Sequence, residues 1–470
     1  MHKKVATNSG DISAPRIRDA VSFQELKSEG DLNISKKRRQ WTTRLPNQAK
    51  NLLKEDAKYF IHQALSSPCL NVIAKCDGLY IEDVSGKRYM DFHGNEVHNV
   101  GFAHPAVVRA IKSQIDALPF CTRRYTNVVA IQLARKLAEL APGNLNKCLF
   151  CPGGTDAVEI ALKLAMGYTK RFKTISWWDS FHGASFGSIS IGGEAIFRRD
   201  VSLLPGTEHV PPPDCYRCPF GHDGPKGCNV ECARTIRYVM EKQGDVCAVI
   251  AETVRSTLCV PPYEYWKEVR EACDDNGVVL ITDEIAHALG RTGKMFTCEH
   301  YDLVPDVLVI GKALGGGILP IAAAIARETM DVRDDLAIGH YTHEKNPVLC
   351  AAALATIEVV EKEKLVQNAA KQGEYALKRL EEMKEDHRLI GDVRGKGLLL
   401  GAELVRDATK KTRANDEAEA VMYKCLEKGL SFKLTMGNTM VLIPPLTIQR
   451  EEMDEALNII DESIREVEHS

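Results

Sequence analysis

Two charged side chains stand just beyond apolar runs of strand length, and their types suit one kind of chemistry. Asp283 comes after Val278–Ile281, and Lys312 comes after Val307–Ile310. Such Val/Ile/Leu runs are typical of strands buried on both faces of a parallel sheet, where reactive groups collect at the carboxyl ends. A carboxylate and an amine at that edge suit pyridoxal phosphate, which needs an anion at its ring nitrogen and an amine on its aldehyde. For either residue alone, the alternative is a solvated loop charge.

A turn suited to a phosphate group lies upstream of both residues. A short apolar run from Cys148 breaks at Pro152-Gly153-Gly154, and apolar residues at helical spacing begin at Thr155. Glycines leave the backbone N–H groups open at the positive end of a helix, where an anion is stabilised. Many α/β turns share this pattern. The turn indicates a phosphate site only in combination with Asp283, Lys312 and the glycine run at 315–317 that follows the lysine.

Taken together, these segments resemble the class III, fold-type I family of pyridoxal-phosphate-dependent aminotransferases and lyases over residues 60–465. The resemblance implies an α/β fold, with a mostly parallel seven-stranded sheet between helices in a large domain, plus a small α+β domain. It also implies that Asp283 pairs with the pyridinium nitrogen and that Lys312 binds the aldehyde and acts as the catalytic base. By the same resemblance, the cofactor contacts are Gly154, Thr155, Phe181, His182, Glu252, Asp283, Ile285, Lys312 and Thr342.

Two of these contacts carry further implications. In the family, the threonine that matches Thr342 reaches the cofactor phosphate of the other subunit, so the resemblance implies a homodimer with shared active sites. Phe181 matches the aromatic residue that stacks on the pyridine ring. For a single aromatic residue after a strand, ordinary core packing is the alternative.

Three departures from the family bear on the substrate. Val441 stands where amino-acid transaminases of the family clamp the substrate α-carboxylate with an arginine, and a buried carboxylate without such a partner is costly. Arg255 replaces a glutamine shortly after Glu252, and Ala286 replaces a glutamine that contacts the cofactor ring oxygen. This pattern disfavours an ordinary α-amino acid and favours an amine whose anion lies elsewhere. The predicted substrate-binding cations are Arg124 and Arg255, with Arg123 and Lys433 as further candidates.

Local stretches point to one branch of the family. FHGNEVH, LPFCTRRYTN, DEIAHALGRTG and GHYTHEKNP look most like bacterial ammonia-lyases of phosphonate catabolism. This likeness implies elimination from a β-hydroxy aminophosphonate, whose dianion suits pairing with a guanidinium group. Two other hypotheses stay open. One is a transaminase of an amine or aminophosphonate that needs a keto-acid acceptor, and the other is a non-catalytic cofactor-binding protein.

Composition limits the possible partners and location. The chain has 470 residues and a formal net charge of -3, which gives no reason to expect nucleic acid or a membrane surface as a partner. No apolar run approaches the roughly 18 residues of a membrane span, and the first residues lack a signal-peptide core, so we expect a cytoplasmic protein. The expected organisation is a polar extension (1–45), the first part of the small domain (46–100), the cofactor-binding large domain (101–350) and the second part of the small domain (351–470).

A cysteine-rich insertion at 211–233 raises the question of a metal site. Its four cysteines have the spacing C-x2-C-x9-C-x3-C, which is compatible with structural zinc. The alternative is a compact loop of reduced cysteines. We prefer that alternative and predict no metal, because fifteen cysteines scattered through an α/β pattern are typical of reduced thiols. The four residues are Cys215, Cys218, Cys228 and Cys232.

Overall fold

The computed structural model describes residues 35–63 and 69–470. Most of the predicted N-terminal extension, residues 1–34, therefore lies outside the described residues. The α-helices are α1 (Lys36–Arg44), α2 (Asn47–Tyr59), α3 (Pro105–Ala117), α4 (Val128–Leu140), α5 (Gly154–Thr169), α6 (Phe186–Ile191), α7 (Ala195–Arg198), α8 (Glu231–Gln243), α9 (Tyr263–Asn276), α10 (Pro347–Lys362), α11 (Leu365–Asp386), α12 (Asn415–Glu427) and α13 (Arg450–Glu468).

The strands fall into three sheets. They are β1 (Ile73–Asp77), β2 (Tyr80–Asp83), β3 (Arg88–Asp91), β4 (Leu145–Cys151), β5 (Lys173–Trp177), β6 (Thr207–Val210), β7 (Val246–Glu252), β8 (Val279–Asp283), β9 (Val307–Ile310), β10 (Ala322–Arg327), β11 (Ile390–Lys396), β12 (Leu399–Asp407), β13 (Thr412–Arg413), β14 (Leu430–Ser431), β15 (Lys433–Thr435) and β16 (Thr439–Leu442).

The largest sheet has seven strands in the order β4-β10-β9-β8-β7-β5-β6. Every pairing is parallel except the two that β10 makes with β4 and β9. Successive residues alternate between two apolar cores: Leu280 of β8 belongs to one and Ile281 to the other. Helix α5 contributes to one core, and α4, α8 and α9 contribute to the other. The predicted α/β architecture, with a mostly parallel seven-stranded sheet between helices, is confirmed.

Two smaller sheets form an α+β region with its own core. Strands β1, β2 and β3 make an antiparallel meander, and β14 pairs with β3 in parallel. Strands β11, β12, β16 and β15 form an antiparallel sheet, with β13 paired to β12. Leu400 of β12, Leu434 of β15 and Ile460 of α13 belong to the same buried cluster. This region supplies the α+β part of the predicted fold.

Helix α1 covers the end of the segment that was expected to be a polar extension. Trp41 is only 7% exposed, and its ring lies 5.9 Å from the ring of Tyr423 on α12. The Nε of Arg38 donates a hydrogen bond of 3.1 Å to the hydroxyl of Tyr423. Residues 36–44 are therefore a helix packed on the small-domain core, because one tryptophan and one arginine anchor an otherwise polar segment.

The cysteines are all free thiols in the described part of the chain. Cys228 is buried, and the other three cysteines of the insertion are half-buried. Within residues 35–63 and 69–470, no group of three or more His, Cys, Asp or Glu side chains is placed to hold a metal ion. In the same residues, no helix combines the length and the apolar character needed to cross a bilayer.

Candidate active site

The strand-end residues surround one cavity of about 360 Å³, a size within the range of small-molecule sites. Glu252 ends β7 and Asp283 ends β8, and the parallel register places these two residues side by side. Lys312 begins the turn that follows β9. Nine of the predicted site residues line the cavity: Gly154, Thr155, Phe181, His182, Glu252, Arg255, Asp283, Ile285 and Lys312.

Asp283 is a buried carboxylate with a fixed orientation. Its Oδ2 lies 2.8 Å from Nδ1 of His182, and its Oδ1 accepts a hydrogen bond of 3.1 Å from the backbone N–H of Ile285. Burial acts to lower the pKa of His182, but the hydrogen bond and the charge of Asp283 raise it above its ordinary value. The cavity wall therefore holds an oriented anion, which suits a protonated ring nitrogen.

Lys312 is in direct contact with a carboxylate that no sequence motif indicates. Its Nζ is ion-paired with Oε2 of Glu96, which lies in the turn after β3. Burial acts to raise the pKa of Glu96, but the positive charges of Lys312 and Lys433 lower it to about 2. The amine predicted to be catalytic therefore has an ionised carboxylate as its neighbour. Glu96 lies within FHGNEVH, but no spacing in that stretch indicates where its side chain lies.

The start of α5 forms a recess beside the cavity. A Cβ atom on Gly154 would lie 2.8 Å from Cδ1 of Ile285, and one on Gly183 would lie 2.3 Å from Oγ1 of Thr155. Side chains at these two positions would fill the space next to the helix start. Open N–H groups at the positive end of a 16-residue helix suit a phosphate group.

Apolar side chains line the rest of the predicted cofactor site. Phe181, Phe197 and Ile285 all face the cavity. The rings of Phe181 and Phe197 lie 4.7 Å apart. Phe181 is 39% exposed, so core packing does not account for its position. Apolar walls, an amine, an oriented carboxylate and a phosphate-type helix start together fit pyridoxal phosphate.

Arg255 lies in the cavity wall, but carboxylates already surround it. Its guanidinium group is ion-paired with Glu194, donates a 2.7 Å hydrogen bond to Oγ1 of Thr257 and lies 3.7 Å from Oε2 of Glu252. Burial raises the pKa of Glu252 to about 7, against the opposing charges of Arg255 and His182. Most of the charge of Arg255 is therefore compensated within the protein. Glu194 was missed because it precedes a short helix and belongs to no recognisable motif.

A different cation stands next to the position of the missing arginine. The antiparallel pairing of β15 and β16 places Lys433 directly opposite Val441, and such residues share one face of a sheet. Val441 is 1% exposed and packs in the apolar core, whereas Lys433 lines the cavity. Its charge also helps to lower the pKa of His93 to about 3, after the larger effect of burial. The cavity therefore has an ammonium group one strand away from the position of the family's guanidinium.

Two predicted site residues lie outside this cavity. Arg124 and Thr342 are exposed and do not line it. Their loops contact each other, because the rings of Phe120 and His343 meet edge to face at 5.6 Å. The two residues therefore belong to one surface patch. We call it the 120–343 patch, after Phe120 and His343, and it contains these two residues with Arg124 and Thr342.

Comparisons with known proteins place this geometry in one family. The model of the class-III aminotransferases matches residues 62–464. An (R)-1-hydroxy-2-aminoethylphosphonate ammonia-lyase from Vibrio splendidus (strain 12B01) is 46% identical over 458 residues, covering 94% of this chain and 96% of the relative. A leucine/methionine racemase from Thermococcus litoralis is 41% identical over 407 residues, covering 84% of this chain and 91% of the relative.

A solved structure agrees with these sequence comparisons. An amine transaminase from an uncultivated Pseudomonas species, in its PLP-bound form, is 30% identical, with a TM-score of 0.83, and covers 87% of this chain and 98% of its own. By their names, these relatives catalyse different reactions. The family match and the PLP-bound solved structure show the fold and the cofactor of this chain, pyridoxal 5'-phosphate. The chain belongs to the class-III aminotransferase family.

Proposed function

We propose that this enzyme is an ammonia-lyase that converts (R)-1-hydroxy-2-aminoethylphosphonate into phosphonoacetaldehyde and ammonia. The observation that supports the proposal most is the strand register, which places Lys433 of β15 opposite Val441 of β16. It gives the cavity a cation beside the position where an amino-acid transaminase would hold an α-carboxylate. The 46% identical ammonia-lyase supports the same reaction.

The proposal assigns a role to each strand-end residue. When bound, the cofactor supplies an aldehyde that reacts with amines and a ring that accepts electrons. Nζ of Lys312 would hold that aldehyde, and the same amine is the base for the proton on the carbon that bears the substrate nitrogen. Asp283, fixed by His182, keeps a proton on the ring nitrogen. The other cofactor contacts are assigned to Gly154, Thr155, Phe181, Glu252 and Ile285.

The substrate anion needs a positive partner in the cavity. We assign this role first to Lys433, because it lines the cavity beside Val441. Arg255 also lines the cavity, where its guanidinium group is ion-paired with Glu194 and lies 3.7 Å from Oε2 of Glu252. A phosphonate is a dianion, so an ammonium group with a guanidinium group nearby suits it better than either cation alone.

We extend the proposal to a homodimer with shared active sites. Thr342 and Arg124 are exposed on the 120–343 patch and lie away from the cavity of their own chain. If the patch faces the cavity of a second copy, Thr342 reaches the cofactor phosphate there, and Arg124 adds a cation near the substrate. Because a twofold interface uses the same patch on both copies, such a dimer would contain two equivalent shared sites.

The decisive experiment omits any keto acid. Purified enzyme loaded with pyridoxal phosphate is incubated with (R)-1-hydroxy-2-aminoethylphosphonate, and ammonia and phosphonoacetaldehyde are measured. The proposal requires equal amounts of both products over many turnovers, with the cofactor absorbance restored at the end. Failure to release ammonia without an acceptor would exclude the lyase.

A transaminase is the second candidate, and the similarity to the solved amine transaminase favours it. It predicts that 2-aminoethylphosphonate reacts only when a keto-acid acceptor is present. Without the acceptor, the cofactor would be left in its amine form after one turnover. Spectral change on adding amines, with no product under either condition, would instead indicate a silent cofactor-binding protein.

A further inference from the structure

The turn formed by Gly94–Glu96 brings a carboxylate into the cavity that the roles above do not use. Glu96 is 5% exposed and lines the cavity. Among the described residues that line it, the four carboxylates are Glu96, Glu194, Glu252 and Asp283. Of these four, Glu96 is the one that is ion-paired with Lys312.

The backbone of this turn is strained, and its surroundings hold it in place. Gly94, Asn95 and Glu96 have φ angles of +48°, +46° and +63°. Asparagine tolerates this left-handed region, but a glutamate seldom adopts it. The carboxylate of Asp91 holds the turn by accepting hydrogen bonds from the N–H groups of His93 at 2.9 Å and Gly94 at 3.1 Å. Strain that is maintained by neighbouring groups is typical of functional sites.

The other three carboxylates in the cavity have different partners. Asp283 contacts His182, and Glu194 and Glu252 lie against Arg255. A proton held by Lys312 can therefore pass directly to Glu96. The transfer removes the lysine charge that favours the ionised carboxylate, and the burial of Glu96 then favours its protonated form.

We propose that Glu96 is a further catalytic residue, the acid that protonates the hydroxyl group as it leaves the substrate. This inference rests on the ammonia-lyase function proposed above. Hydroxide is a poor leaving group, so breaking the carbon–oxygen bond needs a positioned proton donor. The ion pair with Lys312 supplies that proton, because Lys312 has just taken one from the neighbouring carbon.

The step balances without any added reagent. Nζ of Lys312 takes the proton as the carbon–hydrogen bond breaks, and the electron pair left behind forms a carbon–carbon double bond as the carbon–oxygen bond breaks. Lys312 passes its proton to Glu96, and Glu96 gives it to the departing oxygen, so that water leaves. The unsaturated amine later takes up one water and releases ammonia and the aldehyde. The water lost equals the water gained, and nothing is oxidised or reduced.

The test compares two leaving groups in one variant, Glu96→Gln. The first substrate is (R)-1-hydroxy-2-aminoethylphosphonate, and the second carries chloride in place of the hydroxyl group, because chloride leaves without a proton. We expect kcat for the hydroxyl substrate to fall roughly 100-fold or more, and kcat for the chloro analogue to fall less than about fivefold. The ratio of the two losses in kcat does not depend on the fraction of the variant that folds. Glu96→Asp, which keeps a carboxyl group, should recover part of the lost rate.

Two further measurements separate this inference from the function on which it rests. The cofactor affinity of Glu96→Gln is measured by titrating the cofactor-free protein with pyridoxal phosphate. It should match the affinity of the parent, because the phosphate and ring contacts are elsewhere. If the parent releases ammonia and the variant slows equally on both substrates, Glu96 has a structural role and the inference is wrong. Parent-like kcat of the variant on the hydroxyl substrate would overturn it as well. A parent that releases no ammonia contradicts the proposed function itself.

Discussion

The amine of Lys312 is the group on which the proposed turnover depends, because it holds the cofactor aldehyde and moves the proton. We expect Lys312→Ala to lower ammonia release by roughly 10⁴-fold or more. The variant should also lose the visible absorbance of the lysine-bound cofactor. Lys294→Ala is the matched control and should behave like the parent, because Lys294 is exposed in the connection between β8 and β9. A Lys312→Ala enzyme with substantial ammonia release would rule out the assignment.

His98, a buried histidine beside the 94–96 turn, should make the stability of the fold sensitive to acid. Burial, together with the nearby charge of Arg291, lowers the pKa of His98 to about 4. Above its ordinary pKa of about 6.5, the side chain is neutral in both the folded and the unfolded chain. Below that value, the unfolded chain binds a proton that the folded chain does not bind until about pH 4. His98 therefore lowers the free energy of unfolding as the pH falls, by about 1 kcal/mol at pH 5.5.

Urea unfolding of the cofactor-free protein at pH values of about 7.5 and about 5.5 checks this expectation. The loss of stability between the two should be smaller in His98→Gln than in the parent by about 1 kcal/mol. His62→Gln, at an exposed histidine, should follow the parent. An unchanged pH dependence in His98→Gln would show that another group is responsible.

The sequence identified some cavity residues and missed others for a physical reason. Asp283 and Lys312 could be predicted because each follows an apolar strand, and the chain pattern alone brings parallel strand ends to one edge. Glu96 could not, because its partner is 216 residues away in the chain and the contact depends on how the small-domain turn packs against the large sheet. Glu194 was missed for the same reason, since its partner Arg255 is 61 residues away.

At the scale of elements, the register between β15 and β16 decides which cation faces the cavity. Because Lys433 lies opposite Val441, we expect Lys433→Met to lower kcat/KM for the aminophosphonate by roughly 10- to 100-fold, the value of one charge-assisted contact. The effect should be less than about threefold for an amine of similar size without an anionic group. Lys371→Met, an exposed lysine on α11, is the control. Equal losses on both amines would contradict the assignment of Lys433.

The elements that surround the site differ in how far their sequences determine them. Strand β8 and the start of α5 were placed within a residue or two, because apolar periodicity and glycine position fix them. The 94–96 turn was not predicted, because two non-glycine residues adopt positive φ angles there. Helix α1 was also missed, since Trp41 is its main apolar anchor and its polar residues resemble a solvated arm.

At the scale of the whole molecule, one chain leaves part of the predicted site on its outer surface. Thr342 and Arg124 lie on the 120–343 patch, outside the cavity that holds Lys312 and Asp283. The proposed dimer requires each working site to combine Lys312 and Asp283 of one chain with Thr342 of the other. A point substitution in either half should therefore be complemented by an intact second copy.

Mixing two inactive variants tests this requirement. Thr342→Glu places a negative charge where the phosphate is expected, and Lys312→Ala removes the amine. When the two variants are unfolded together and refolded, half of the dimers are mixed, and one of the two sites in each mixed dimer has both intact parts. We expect about a quarter of the parent's activity per site.

The control mixture combines Lys312→Ala with Asp283→Asn, whose altered residues come from the same chain in every site. Each site of a mixed dimer then lacks either the amine or the carboxylate, so no activity should return. Recovery in the first mixture and none in the second requires Thr342 to act across the interface, since the two mixtures differ only in which half of the site is altered. If both mixtures stay inactive while the parent regains its activity after the same treatment, each chain works alone and the 120–343 patch has another purpose.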